Sequence, residues 1–556
     1  MWSSYWLIVS GMETQEEERR PRVGRRLLIC ALAGSVVLGG ALAAWWPWER
    51  AAVPRAVAPV SGSQALTAVA AGVPAGLPEL GALIGEREAR VRARPKDAVS
   101  WAVLGTAYVE QGRRTADAAN YPLAERALRA SLSARGNRNV AALDGMAALA
   151  NARRDFRAAR TWGEAALKAE PKRWTTYPLL IDAYTGLGDY KATKRTLDRL
   201  LELRGGPAVR ARAAAVYRDR GWREDAAAAI SDAAAGASSP AERAAWLERA
   251  GELAWERGEL KDALRRFQEA VRLDPDQRAA QAGQGRTLAA LGRITEALTA
   301  YQMALARQPC PQYALELGEL YESLGMGEAA RAEYDVLRAR VRQDMAGGVD
   351  DELVLGIFEA DHGYPEAAVR RLRAEWERQP GIDVADALGW ALHRAGDDKE
   401  ALRFASVATD RVHGGAVRSA PYMYHLAMIE RELRQDGPAR RHLQEALRIN
   451  PYFSPLGVRE ARATLTALGE PPDVPVPDQE REDAKAPDQK VPDQKAPDQK
   501  PPDQKAPDQK APDQKAPDRL SGHTAAVPIS AFRVTSAARR SSPRSSVPNG
   551  LAGRTM

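Results

Sequence analysis

Small apolar residues recur through the middle of the chain at a fixed interval. Gly251, Gly258, Ala263, Phe267, Ala270 and Pro275 are followed, each 34 positions later, by Gly285, Gly292, Ala297, Tyr301, Ala304 and Pro309. The pattern predicts a unit of one helix, a tight turn and a second helix. Gly251, Ala263 and Ala270, with their counterparts, let the two helices approach closely. Gly258 and Gly292 end the first helix, where a left-handed backbone is needed. Phe267 and Tyr301 fill the space between helices. Pro275 and Pro309 stop the second helix, because proline lacks the amide hydrogen and clashes with the preceding turn.

The same marks extend in both directions. Leu104, Gly105, Tyr108 and Gly112 open a first unit, whose turn is enlarged by about seven residues around Thr115–Tyr121. Ala147, Ala159, Ala166 and Pro171 mark a second, Tyr184, Gly188 and Leu197 a third, and Ala214, Tyr217, Gly221 and Ala226 a fourth. Beyond the two units quoted first come Gly318, Tyr321, Gly325, Ala330 and Tyr334, then Gly356, Gly363, Ala368 and Pro380. Gly389, Leu392, Gly396 and Ala401 follow, and Ala427, Ala439, Leu443, Ala446 and Pro451 mark the last unit. A 34-residue period with these marks resembles the tetratricopeptide repeat family. The expected fold is all-α: a right-handed superhelical solenoid of about ten helix–turn–helix units from roughly 98 to 453, closed by a capping helix, Leu456 to Leu468. No helix pair buries its apolar face alone, so the units need their neighbours.

The resemblance implies a function. In this family the first helices line a concave groove that holds segments of other proteins. By register that groove would include Arg212, Arg218, Glu248, Glu252, Trp255, Glu256, Arg286, Glu319, Glu322, Trp390, His393, Tyr424, His425 and Arg431. Trp255, Trp390 and Tyr424 are candidate anchors, since aromatic residues in grooves carry much of the binding energy; packing between helices is the competing reading. Chaperone-binding members of the family hold a C-terminal carboxylate with lysine and asparagine. The corresponding positions here are Ala102, Thr106, Asp144, Ala148, Glu248, Glu252, Ala282 and Arg286, which disfavours that class of partner.

The flanks differ from the solenoid expected at 98–470. Residues 1–26 form a basic N-terminus. Leu27 to Trp46 is an uncharged apolar run of about 20 residues, enough to span a bilayer. Arg20, Arg22, Arg25 and Arg26 precede it, and Trp45, Trp46 and Trp48 follow it. Arginine before and tryptophan after orient such a segment with its following domain outside the cytoplasm. An uncleaved membrane helix over 27–47 and a signal cleaved near Ala43 both fit; Met1 and Met12 are both candidate starts. Residues 48–97, rich in Ala, Val, Pro and Gly, read as a flexible linker whose end, from Pro78 to Arg94, suits a short helix. Residues 471–556 contain six near-perfect pentapeptides of the form APDQK, which read as an extended, disordered low-complexity tail.

Composition narrows the chemistry. The chain is rich in Ala, Leu, Arg and Glu, which favours helix. The net charge is +7, but arginine and glutamate are interspersed through the repeats, with no basic stripe interleaved with stacking aromatics, so nucleic acid is not the expected partner. The cysteines, Cys30 and Cys310, are too few for a cysteine-based metal site. The six histidines never stand at the spacing of a helical zinc motif, and neither a phosphate-binding loop nor a nucleophile elbow occurs. The expectation is a non-catalytic, cofactor-free scaffold of a bacterial cell envelope that binds a protein or peptide. The alternatives are a self-associating spacer and a metal-handling subunit using His362, His393 and His425.

Overall fold

The computed structural model describes residues 60–306, 310–410 and 416–470. The apolar segment Leu27–Trp46 and the tail 471–556 lie outside the described residues, as does the unit 474–556 into which the chain divides beyond its first, 1–473. Among the described residues no helix is long and apolar enough to cross a membrane.

Helices alternate with short turns throughout, in ten antiparallel pairs. Two helices come first, α1 (Ser63–Ala71) and α2 (Leu77–Ala93). The pairs are α3 (Ala98–Thr115) with α4 (Asn120–Arg135), α5 (Val140–Ala152) with α6 (Phe156–Ala169), α7 (Thr176–Gly186) with α8 (Tyr190–Leu203), and α9 (Pro207–Asp219) with α10 (Arg223–Ala235). The central ones are α11 (Pro240–Glu256) with α12 (Leu260–Leu273), α13 (Arg278–Ala290) with α14 (Ile294–Leu305), and α15 (Pro311–Ser323) with α16 (Gly327–Ala346). The last are α17 (Glu352–Asp361) with α18 (Pro365–Arg378), α19 (Ile382–Arg394) with α20 (Asp398–Thr409), and α21 (Ala420–Glu432) with α22 (Asp436–Ile449), followed by α23 (Gly457–Ala467).

The glycine and aromatic marks of the central units have the roles the period assigns them; Pro309 lies outside the described residues. A Cβ on Gly251, Gly285 or Gly318 would stand within 2.6 Å of the ring of Phe267, Tyr301 or Tyr334 respectively, so the missing side chain is what lets each aromatic ring enter. Phe267 is fully buried as a result. Gly258 and Gly292 adopt φ of 73° and 76° at the turn between paired helices. In the second and tenth pairs the same turn uses Arg154 and Arg434 at φ of 60° and 61°, which explains why no glycine marks those units in the sequence.

One expectation is corrected. The stretch read as a flexible linker over 48–97 is helical from residue 63, with α1 not expected and α2 matching the short helix expected from Pro78 to Arg94. Leu80, Leu83, Ile84 and Val91 form one apolar face, which packs with Leu104 and Ala107 of α3 and covers the open end of the first pair. An end repeat would otherwise expose its apolar side. In the first pair the turn lies between Thr115 and Asn120, within the Thr115–Tyr121 stretch expected to hold it. Helix α3 runs on to Thr115, and the left-handed residue is Ala116 at φ 51°. Gly112 instead admits the ring of Tyr121, whose Cε1 would lie 2.5 Å from an added Cβ.

The extension of α3 has a structural consequence. The superhelix coils tightly enough for its second turn to touch its first. Arg114 pairs with Asp274, both nearly buried. Arg278 donates to the Thr115 carbonyl at 3.0 Å, and Arg340 donates to the Ala116 carbonyl. The seam continues with Arg153 Nε donating to the Gly347 carbonyl at 3.1 Å and Arg154 Nη1 to Asp351 Oδ1 at 2.9 Å. The Phe156 amide donates to Gln379 Oε1 at 3.0 Å, and the Ile382 amide to the Tyr190 hydroxyl at 3.1 Å.

Candidate functional site

Coiling turns the inner face of the first helices into the wall of a lumen. Its main cavity has a volume of about 650 Å³. One wall comes from α9, α11, α13 and α15, through Arg218, Glu252, Trp255, Glu256, Arg286, Glu316 and Glu319. The other comes from the second turn: the segment Val417–Tyr422 entering α21, the loop Asn450–Pro455, and Arg459 and Arg462 of α23. The seam closes beside it, where Asn450 Nδ2 donates to the Trp255 carbonyl at 2.8 Å.

The 34-residue register stacks charge along the first wall. Glu252, Arg286 and Glu319 each follow the glycine of their own unit, and so occupy equivalent positions on α11, α13 and α15. Arg286 bonds both oxygens of Glu252 at 3.0 and 3.1 Å, approaches Glu316 Oε2 at 3.4 Å, and lies over the Trp255 ring, 5.5 Å from its centre. Glu316 also accepts from the Tyr301 hydroxyl at 3.0 Å. Arg218 donates to Glu256 at 2.8 Å and to Asp219 at 2.9 Å. Burial pushes Glu252 up to about 7 against the opposing pull of Arg286, and Asp219 up to about 6 against that of Arg218. Glu319 rises further, to about 8: burial comes first, and the neighbouring charges of Asp361, Glu316 and Glu322 add to it.

Arg218, Glu252, Trp255, Arg286 and Glu319 are therefore brought together as the register implied. Other groove residues lie elsewhere. Arg212 pairs with Asp182 on α7. Glu248 is buried and paired with its neighbour Arg249. Glu322 accepts from the Tyr334 hydroxyl at 2.8 Å and has His362 Nδ1 at 3.5 Å. Further along the inner face, the Trp390 ring stands 5.0 Å from that of His393, 4.4 Å from that of His425 and 5.6 Å from that of Tyr424.

The three aromatic anchor candidates are not exposed. Trp255, Trp390 and Tyr424 are 6%, 5% and 4% accessible, so they pack between helices. Trp390 Nε1 is spent on Asp361 at 2.8 Å, and the Tyr424 hydroxyl on Glu460 at 2.6 Å. The three histidines weighed for metal handling are held apart by separate partners: His393 by Asp398, His425 by Asp386, and His362 stacked on Phe358. Among the described residues no three histidine, cysteine or acidic side chains are grouped to hold a metal. Burial lowers the pKa of His362; at His425 burial acts in the same sense but Asp386 outweighs it and raises the value.

Residues that reading the repeat missed come from the second turn. Tyr422, Asn450, Tyr452 and Phe453 face the cavity only because the coil closes, and a 34-residue period carries no information about coil pitch.

A tetratricopeptide repeat family model matches residues 249–309 and 283–344. No curated protein sequence matches the chain. Solved structures that the chain matches include a human IFIT1 dimer, at 16% identity and TM-score 0.39, covering 56% of this chain and 72% of that one. A tetratricopeptide repeat protein from Parabacteroides merdae is 15% identical at TM-score 0.29, covering 48% of this chain and 99% of that one. YrrB, described as having an unusual peptide-binding site, is 18% identical at TM-score 0.24, covering 34% and 96%. Residues 249–344 thus match tetratricopeptide repeats, and the ten helix pairs, three of them over this stretch, form a tetratricopeptide-like helical array.

Proposed function

We propose that the array is a non-catalytic scaffold that holds part of a partner protein in its lumen. The observation that carries this reading is the 650 Å³ cavity, which falls within the roughly 300–1,000 Å³ of ligand pockets. It joins charged side chains to Trp255, Tyr301, Tyr422 and Phe453. Because the seam walls the lumen, the guest is a short segment or a single side chain rather than a long peptide laid along an open groove. The apolar run Leu27–Trp46 supports a place in a cell envelope, with the repeats outside the membrane. N-terminal sequencing of the mature protein from fractionated cells distinguishes a retained helix from cleavage near Ala43.

Positional cross-linking tests the lumen. A photoreactive residue at Gln312, on the cavity wall, should capture the guest, whereas one at Lys261, exposed on α12, should not. Capture from Lys261 alone would move the site to the outer face. A cross-link from Gln312 to a second copy of the chain would favour the self-associating spacer.

A further inference from the structure

Most charged groups of the lumen are tied to a protein partner, Arg459 and Arg462 to the Ser323 and Pro451 carbonyls. Glu252 and Glu316 share Arg286, and Glu256 holds Arg218. Arg418 holds Glu445. Asp361 accepts from Trp390 and has Arg394 Nε at 3.7 Å. Glu322 has the Tyr334 hydroxyl and His362. Among the described residues no hydrogen bond or ion pair reaches Glu319, although it lines the cavity and is half-buried. The ladder of equivalent positions explains why. Glu252 is answered one unit later by Arg286, but the position one unit beyond Glu319, after Gly356, is Ile357. Glu319 is the open end of an alternating charge ladder, facing empty volume.

We propose that Glu319 receives the guanidinium of an arginine side chain presented by a partner protein. This rests on the scaffold reading and names the chemistry of its guest. Glu316 and Glu319, three residues apart on α15, occupy one helix face. A planar guanidinium has enough donors to bond Glu319 fully while reaching toward Glu316. An ammonium is a more strongly hydrated point charge and loses more on entering the lumen. The charged groups acting on Glu319 are Glu316 and Glu322 on its own helix and Asp361 at the end of α17; beside these stand Arg286 against Glu316, His362 against Glu322 and Arg394 near Asp361. This carboxylic acid is held largely protonated near neutral pH by burial and by like charge, so binding a cation expels a proton.

The test is calorimetric titration of the full chain with the peptide acetyl-Gly-Arg-Gly-amide, its citrulline counterpart and free arginine. The arginine peptide should bind at least about tenfold more tightly than the citrulline peptide, the difference expected of a charge-assisted hydrogen bond. Its affinity should fall by about tenfold per pH unit below pH 7, with proton uptake by the buffer at neutral pH. Glu319→Gln should weaken it by about tenfold and abolish the pH dependence. Because the amide replaces a mostly neutral acid, this variant should melt at or above the temperature of the parent chain at pH 8. Glu319→Lys should abolish binding by supplying the cation internally. Equal binding of the citrulline peptide, unchanged binding by Glu319→Gln, or no binding at millimolar peptide overturns the proposal. Tighter binding of free arginine than of the peptide overturns the partner-protein source. Cross-linking from Gln312 is read separately: a guest captured equally by the parent chain and by Glu319→Gln overturns the arginine site and leaves the scaffold reading standing.

Discussion

Asn450 donates its side-chain amide to the main-chain carbonyl of Trp255 across 195 residues of sequence, at 2.8 Å. The Asn450 side chain is almost fully buried, and its own oxygen accepts from the Tyr452 amide at 2.9 Å. One residue thus fixes the loop that walls the cavity and joins it to the α11 turn. Asn450→Ala removes both bonds while the Trp255 carbonyl keeps the Gly258 amide at 2.8 Å, so the cost is that of the bonds lost, about 0.5–1.5 kcal/mol each. Chemical denaturation should show that loss, and hydrogen exchange should show faster opening of 450–458 than of the central pairs. Equal exchange across both regions would mean that the contact does not hold the loop.

The turn glycines divide into two groups, although the sequence makes them look alike. Gly188 and Gly221 have φ of 69° and 71°, and an added Cβ would stand 2.2 Å from the Pro380 carbonyl oxygen and 2.3 Å from that of Ala416. Gly292 and Gly325, at φ of 76° and 75°, would meet nothing within 4 Å. Gly292→Ala and Gly325→Ala should cost about 1 kcal/mol each, the penalty of a left-handed backbone. Gly188→Ala and Gly221→Ala add the displacement of a neighbouring backbone, about 1–3 kcal/mol more. Parallel melts of the four variants check this; equal losses would show that the seam yields freely.

Stability should fall as pH rises from 6 to 9 in the absence of a guest. Glu319, Glu252 and Asp219 are raised in the folded chain to about 8, 7 and 6. An acid with a raised folded value binds its proton more tightly when folded. Its stabilising contribution is complete below the unfolded value and is lost as pH rises through the folded one. The melting temperature should drop by on the order of 2 °C or more between pH 6 and pH 9. Glu319→Gln should reduce the drop. A melting temperature that rises across this range would contradict the buried environment of these acids.

Trp255→Ala and Trp390→Ala should unfold their surroundings rather than merely empty a binding surface. Both indoles are at most 6% accessible, and truncating a buried tryptophan costs about 3–5 kcal/mol. Circular dichroism melts of each variant measure this; an unchanged melting temperature would mean that the rings are dispensable to packing. Loss of a partner in these variants therefore reports on folding, and substitutions at Glu319 or Gln312 are the informative ones.

The units were legible because their marks are local. Gly251 with Phe267, or Gly285 with Tyr301, is a contact within one helix pair, written into adjacent residues and repeated at 34. The first pair shows where that reading ends. Gly112 looks like a turn glycine, but it is a packing glycine for Tyr121, and the turn is made by Ala116 four residues beyond the usual place. Helix α2 was legible as a short helix from Pro78 to Arg94, but its sealing role was not, because that depends on Leu80 and Leu83 meeting Leu104 and Ala107 of the first pair. The register correctly gathered Glu252, Arg286 and Glu319 on one wall. It could not tell that Trp255 and Trp390 face inward, since an aromatic on a first helix suits both groove and core. Nor could it supply the second wall, which depends on coil pitch.

The seam also changes what kind of object the array is. An open solenoid is modular: units interact only with their neighbours, so one is inserted or lost with local effect. Here Arg153 with Gly347, Tyr190 with Ile382, and Trp255 with Asn450 lie 194, 192 and 195 residues apart, and Arg114 with Asp274 and Arg340 with Ala116 lie 160 and 224 apart, contacts that lock one turn of the coil to the next. Removing any unit between these partners would shift every later contact by a whole repeat and set glycines against side chains along the entire join. A chain built by duplication has in this way become one of fixed length, its history of copying still readable but no longer reversible.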